Sequence, residues 1–298
     1  MKESHSRFVV YTVMVGEYDN VLQPDVVDSR FDYVLFSDVK ETDRIGVWEI
    51  RTFDYHNPNK VRESRYPKMH PNELLAEYEA SLYIDANVKI TGNEIYDRFM
   101  ELYSQGVEWG GIKTNNSCPY SEGYWVIVNA GMKKHEVFKW CHRLLKEGYP
   151  RYSEVYLNNV IYRLHNDNVK TVDSLWWNLF LDTPPRDQLS LPYAMKKTPG
   201  LVFQWILPVG ESAWSYPSLT VEPHANRKNK RTVTHYAHRC MSVMQNNKKK
   251  KLKDCFYELC KIPPYMASFI FGIIELSMLI IYGPAAALRR CGRNYQNR

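Results

Sequence analysis

Hydrophobic residues in the first half of the chain come in short unbroken runs. Phe8-Val9-Val10-Tyr11-Thr12-Val13-Met14-Val15 is β-branched or aromatic almost throughout, and Gly16-Glu17-Tyr18-Asp19-Asn20 stops it. A run without polar alternation predicts a strand covered on both faces. Phe31 to Asp38 predicts a second strand ending in Ser37-Asp38, and Val47 to Arg51 a third. Leu82-Tyr83-Ile84 carries another strand to Asp85-Ala86-Asn87, from which Val88 and Ile90 lead away, and Trp109 to Ile112 is a further candidate. Helices are expected at Asn59 to Met69, limited by Pro67 and Pro71, and at Asn93 to Ser104 with Ile95, Phe99 and Leu102 on one side. Gly131 to Glu147 reads as an amphipathic helix terminated by Gly148, and Glu154 to His165 as another. The part containing Trp176-Trp177 and Arg186 to Tyr193 reads mainly helical. Strands alternating with helices predict an α/β fold with a mixed, mostly parallel sheet flanked by helices.

The end of the chain has a different pattern. Asn226 to Lys253 contains no acidic residue, while Arg227, Lys228, Lys230, Arg231, Arg239, Lys248, Lys249, Lys250, Lys251 and Lys253 carry the excess behind the net charge of +6. A basic block of this kind points to an anionic surface. Ile262 to Leu288 follows, almost wholly apolar apart from Glu275, with Pro284 expected to break it and Arg289, Arg290 and Arg293 beyond. The run Met266 to Tyr282 is near the lower limit for a membrane span. Charges on both flanks and Glu275 in the middle favour an anchor lying in the interface, with lysines on anionic headgroups, over a single C-terminal span or a buried core helix. Nucleic acid is not expected as a partner. The expected division is 1–225 as the catalytic domain and 226–298 as basic segment plus membrane-associating tail.

The six cysteines form no CxxC pair, and the polar Met1 to Arg7 leads into the first strand without a signal-peptide pattern. Free thiols and a cytoplasmic location, peripheral or monotopic on the inner face of the plasma membrane, are expected. The Asn115-Asn116-Ser117 sequon is then a coincidence. The 22 tyrosines and 8 tryptophans suit ring-lined sugar clefts but are also routine in cores.

Candidate chemistry gathers at strand ends. Asp85 and Asn87 are hard oxygen ligands suited to a divalent cation with a bound phosphate, or else turn formers. Arg62, Arg65 and Lys68 recur every three residues, so on a helix they make either a diphosphate-binding stripe or a solvated face. Gly16 gives close backbone approach to a ligand or merely a turn.

Taken together, Tyr11-Thr12 with Gly16 and Tyr18-Asp19, Phe36-Ser37-Asp38, Arg62, Arg65 and Lys68, and Tyr83-Ile84-Asp85-Ala86-Asn87 form the first half of a pattern. Gly148-Tyr149-Pro150, Arg163 with His165-Asn166, Trp176-Trp177 and Arg186-Asp187-Gln188-Leu189-Ser190 complete it. In this order, over roughly residues 8 to 200, the chain resembles a glycosyltransferase-like domain family long catalogued as of unknown function. Its members occur in bacterial polysaccharide loci and among plant mucilage-related Golgi proteins. The resemblance implies a GT-A-like (Rossmann-like) nucleotide-sugar fold with Asp85 and Asn87 in the place of the metal-binding Asp-x-Asp. It further implies Mn²⁺ or Mg²⁺ as cofactor, with a late histidine, His224, His235 or His238, as third ligand, His224 being the expected one; the alternative for each is a lone surface histidine. Thr12, Gly16, Tyr18, Asp38, Arg62, Arg65, Lys68, Trp177, Arg186 and Gln188 are the implied substrate contacts. Asp187 is the implied catalytic residue on the acceptor side, orienting a hydroxyl or removing its proton; its alternative is a carboxylate favoured by a helix N-terminus. One departure stands out: where the family carries His-Pro-x-Arg before Cys-x-Tyr, this chain reads Lys113-Thr114-Asn115-Asn116-Ser117-Cys118-Pro119-Tyr120.

The function expected is metal-dependent, hexosyltransferase-like transfer of a sugar from a nucleotide-diphosphate donor to a glycan or lipid-linked acceptor, in bacterial cell-surface polysaccharide synthesis. The alternatives are a metal-dependent hydrolase of a lipid amide or glycoconjugate, and a membrane-tethered glycan-binding module without catalysis.

Overall fold

A computed structural model describes residues 6–16, 18–114, 118–225 and 246–296, the side chains of 246, 247 and 283–296 excepted. The candidate ligands His235 and His238, the sequon and the basic residues from Arg227 to Arg239 lie outside it.

The unbroken apolar runs become the middle of a sheet. β1 (Phe8–Met14), β2 (Phe31–Ser37) and β5 (Ala80–Ile84) are buried nearly throughout. β1 pairs in parallel with β2, Phe8 opposite Phe31, and with β5, Phe8 opposite Ala80. β4 (Trp48–Arg51) adds in parallel to β2, and the short β3 (Arg44–Ile45) closes that side antiparallel. β8 (Tyr156–Leu164), β7 (Trp109–Lys113) and β9 (Phe203–Trp205) extend the other side, giving the order β3-β4-β2-β1-β5-β8-β7-β9 among the described residues. The fold class is thus mixed α/β with a mostly parallel central sheet. Chain order runs outward from β1 through β2 and β4, then resumes on β1's opposite side with β5. That reversal leaves a crevice at the carboxyl ends of β1 and β5, where open α/β sheets take their ligands.

One face of the sheet packs on α3 (Glu94–Ser104): Val10, Leu35, Leu82 and Ile84 meet Ile95, Tyr96, Phe99 and Leu102. The other face carries α1 (Lys60–Met69), the single turn α2 (Pro71–Leu74), α6 (Asp167–Asp182) and α7 (Asp187–Lys197). Asn59 caps α1 by accepting from the Val61 amide at 3.1 Å, and Asn166 caps α6 by accepting from the Val169 amide at 2.9 Å. A two-stranded pairing of β6 (Val88–Ile90) with β10 (Leu219–Val221) holds the segment after Asp85.

Three expectations are corrected. Glu154 to His165 is not a helix: β8 occupies it, antiparallel to both β5 and β7. Val160, Ile161 and Tyr162 fit a pleated surface, and burial on both faces removes the alternation that marks an exposed strand. Pro119–Ala130 forms α4, whose left-handed cap Gly131 (φ +65°) delays the next helix, α5, to Lys134–Lys146. Gly148 does end α5: at φ +68° its amide reaches Leu145 O (3.0 Å) and that of Tyr149 reaches Leu144 O (2.8 Å). Pro284 does not break the tail, because the C-terminal helix runs through it to Gln296. One proline removes one amide donor, and Ala285-Ala286-Ala287 supplies strong helix formers directly after it.

The chain divides into two compact units, 1–115 with 155–227, and 116–154 with 228–298. Residues 116–154 therefore go with the tail, whereas the expected functional boundary at 225/226 leaves them with the first domain. In the second unit, α4 and α5 pack with α8 (Asn246–Leu259) and α9 (Pro264–Gln296). Pro264–Tyr282 is long and apolar enough to cross a membrane by length and composition.

Candidate active site

Parallel pairing brings Gly16, Asp38 and Asp85 to one edge of the sheet, since each follows the carboxyl end of its strand. Asp85 takes a 2.6 Å hydrogen bond from the Tyr83 hydroxyl on Oδ1 and lies 3.3 Å from Lys68 Nζ. Lys68 is buried and also donates to Asp187 Oδ2 at 2.8 Å, which Arg65 Nε approaches to 3.3 Å. Helix α1 thus brings Arg65 and Lys68, one turn apart, to carboxylates that follow β5 and open α7. Lys68 also lies 4.6 Å from the centre of the Tyr83 ring.

Burial alone would raise the Asp187 carboxyl, but Lys68, Arg65 and Arg186 outweigh it and hold the group well below the usual range. An acid held this firmly ionised is a weak proton acceptor, and it also accepts from the Gln188 amide at 3.1 Å. Burial raises the Tyr83 hydroxyl, with the Asp85 charge adding to it, so Tyr83 stays protonated and donating. Side-chain exposure divides the carboxylates: Asp85 is 30% exposed and Asp187 only 5%. Asp85 is therefore the one open to a ligand.

A buried network holds Lys68 from beneath. Arg163 Nη2 donates to the Lys68 carbonyl at 2.7 Å and to the Tyr11 hydroxyl, while Arg163 Nη1 pairs with Asp173 at 2.8 Å. Burial pushes the Asp173 carboxyl up to about 6 against the pull of Arg163.

Beside this cluster, the Gly16 amide (φ +67°) donates to Asp38 Oδ1 at 3.1 Å, and Lys60 Nζ lies 3.2 Å from Asp38 Oδ2. Tyr18 packs on His224 with ring centres 4.9 Å apart, and His224 Nδ1 is 2.9 Å from Asp19 Oδ2. Asn87 donates its amide to Glu222 O at 2.8 Å, tying the Asp85 segment to the strand end that precedes His224. Thr12 is buried, its hydroxyl without a hydrogen-bond partner among the described residues, in a small hollow shared with Ile84, Ala86 and Val88.

Other expected contacts are engaged within the protein. Arg62 leaves its stripe and donates to Phe180 O (2.6 Å) and Thr183 O (2.7 Å), satisfying the last carbonyls of α6. Trp177 stands edge-on to Tyr55, Tyr66 and His70 as part of an aromatic cluster. Gln188 donates to Tyr156 O at 3.1 Å, and Arg186 acts on Asp187 by its charge. Lys60 and Asp173 escaped sequence reasoning: no spacing links Lys60 to Asp38 or Asp173 to Arg163.

The donor set can be tested against a divalent ion. Among the described residues no three of His, Cys, Asp and Glu come together as a metal cluster. Asp85 Oδ1 is already engaged by Tyr83 and Lys68, leaving Oδ2 with the Asn87 side-chain carbonyl. Such a set fits an ion that brings most of its own oxygen ligands with it, the habit of magnesium with phosphates. It does not form a closed protein cage.

No family model matches the chain, and no curated protein does. Among solved structures it is similar to core-mannan synthase A from Aspergillus fumigatus in an Mn/GDP form, at 11% identity and TM-score 0.39, over 69% of this chain and 74% of that one. The mannosyltransferase Ktr4p of S. cerevisiae matches at 9% identity and TM-score 0.34, over 63% and 66%. The bifunctional glycosyltransferase WbbM in its apo form matches at 12% identity and TM-score 0.38, over 70% of this chain and 40% of that one.

Proposed function

We propose that the chain is a GT-A-like glycosyltransferase that moves a sugar, hexosyltransferase-fashion, from a nucleoside-diphosphate donor to a glycan or lipid-linked acceptor in bacterial cell-surface polysaccharide synthesis. The observation that carries this reading is the half-open Asp85 carboxylate at the β1/β5 crevice, sharing Lys68 with Asp187, which Arg65 also approaches. Breaking a bond to a nucleoside diphosphate develops negative charge on the departing phosphates, and fixed cations in a shielded site stabilise it. Arg65 and Lys68 supply that field while Asp187 holds both in place.

Asp85 and Asn87, with His224 as a further donor, would hold Mn²⁺ or Mg²⁺; the ion when bound would screen the diphosphate charge. Asp38, positioned by Gly16 and Lys60, and the Tyr18–His224 pair would receive the base and ribose. Asp187 orients the acceptor side and does not remove its proton, in keeping with its depressed basicity. The enzyme would work on the inner face of the plasma membrane, with its C-terminal tail on anionic lipid.

A panel of nucleotide sugars, screened by thermal shift with and without Mn²⁺, tests the proposal. One donor should raise the melting temperature only with the ion present, and Asp85→Ala should abolish both that shift and turnover. A variant that turned the matched donor over at the wild-type rate would overturn the assignment.

A further inference from the structure

The helix α9 has two unlike apolar faces. Ala267, Phe271, Glu275 and Met278 are buried, at helical spacing. Phe271 meets Tyr124, Phe138 and Phe256 with ring centres 6.1, 5.8 and 5.8 Å apart, and Glu275 Oε2 pairs with Lys134 Nζ of α5 at 2.5 Å. The only charge within the apolar run therefore faces inward and is neutralised there.

The outer face is left to solvent. Tyr265, Phe269, Ile273, Leu276 and Ile280 recur every three or four residues and are between 51% and 76% exposed. From Tyr265 to Ile280 this stripe is about 22 Å long. Large apolar side chains scattered singly are ordinary on a surface, but a continuous band of them marks an interaction site. Basic groups border one end. Lys248 Nζ lies 3.1 Å from the Tyr282 hydroxyl, so the start of α8, with Lys248, Lys249, Lys250 and Lys251, runs beside the far end of the stripe.

We infer that this outer face is a membrane-docking surface on which α9 lies flat. Phe269, Ile273, Leu276 and Ile280 enter the acyl boundary, and the α8 lysines rest on anionic headgroups. This deepens the membrane part of the proposed function and rests on it. The charge decides the occupant: apolar side chains edged by lysines match an anionic bilayer, whereas a second copy of the chain would bring a second lysine run to the same border. The inner face decides the mode. A spanning helix is apolar all round, and α9 could leave its packing only by parting Glu275 from Lys134 and stripping Phe271 from three rings.

The test is flotation of the full chain with vesicles of phosphatidylcholine alone or with a third phosphatidylglycerol, at 0.1 M and 0.5 M salt. The expected result is capture by the anionic vesicles, at least tenfold weaker on neutral ones and weakened again by salt. Phe269→Glu with Ile273→Glu should abolish capture, and replacing Lys248 to Lys251 with Gln should remove the salt dependence. Both variants should melt as the wild type does, because these side chains are exposed. An alkaline carbonate wash should release the bound protein. Retention through that wash, capture indifferent to the Glu substitutions, or self-association abolished by them without any vesicle capture would each overturn the inference. Turnover on a water-soluble acceptor, read in parallel, reports on the catalytic proposal separately and should survive both sets of substitutions.

Discussion

Lys68 Nζ donates to Asp187 across 2.8 Å, joining two helices whose residues lie 119 positions apart in the chain. Both partners are buried, Lys68 to 1% and Asp187 to 4% exposure, and the same lysine reaches the more open Asp85 at 3.3 Å. One ammonium group thus serves both the buried carboxylate proposed to orient the acceptor side and the more open one proposed to meet the donor.

Lys68→Met should leave Asp187 and Asp85 short of a counter-charge and destabilise the fold by about 3–5 kcal/mol, the usual effect of removing one partner from a buried pair. Asp187→Asn alone strands the lysine less severely, because Asp85 remains within reach. The double variant should lose less than the sum of the two single losses. Urea denaturation of the four proteins measures the coupling; strict additivity would mean the contact contributes nothing.

His165 gives a pH dependence of known sign. Its Nδ1 donates to Tyr78 O at 2.9 Å and its Nε2 accepts from Ser81 Oγ at 2.8 Å, the pattern of a neutral ring. Burial, helped by the Arg163 charge, lowers it to about 4. Between that value and the ordinary one near 6.5, the unfolded chain binds a proton that the folded chain refuses. Stability should therefore rise with pH through this window, by up to about 3 kcal/mol from this group. His165→Gln should flatten the slope of unfolding free energy between pH 4.5 and 6.5 relative to the wild type.

Chelation should separate two kinds of metal dependence. If the ion arrives with the phosphates, EDTA leaves the melting temperature of the ligand-free protein unchanged and removes the shift produced by the nucleotide sugar. A fall in the ligand-free melting temperature would mean a resident structural ion instead.

Gly148→Ala isolates a backbone effect. The residue sits at φ +68°, and an added Cβ would meet nothing within 4 Å. The loss should be the left-handed penalty alone, about 1 kcal/mol. Asn, which tolerates that conformation better, should lose less in the same thermal denaturation.

The parts of this fold legible in the sequence are those where one physical demand dominates. β1, β2 and β5 announce themselves because two buried faces leave little room for polar residues, and Gly148 because a helix terminus needs a left-handed residue. Asp85 could be placed at a sheet edge because the apolar run stops there. β8 was illegible for the reason that made β1 visible: a short buried run has no period to tell strand from helix, and only pairing with β5 and β7 decides. The spacing of Arg62, Arg65 and Lys68 brought them to one helix, but spacing carries no information about which carbonyl or carboxylate waits opposite. Arg62 met the end of α6 while its neighbours met Asp187. Lys60 with Asp38 and Arg163 with Asp173 are meetings of distant segments, and tertiary structure alone reveals them.

The Lys68–Asp187 contact also bears on how the chain is made. During synthesis, α1 is complete long before α7 leaves the ribosome, and until then Lys68 has Asp85 but not Asp187, and Arg65 lacks Asp187. A chain stopped before residue 187 would bury Lys68 with Asp85 as its one acidic partner and Arg65 without Asp187, and should hold that helix less firmly than the whole chain does.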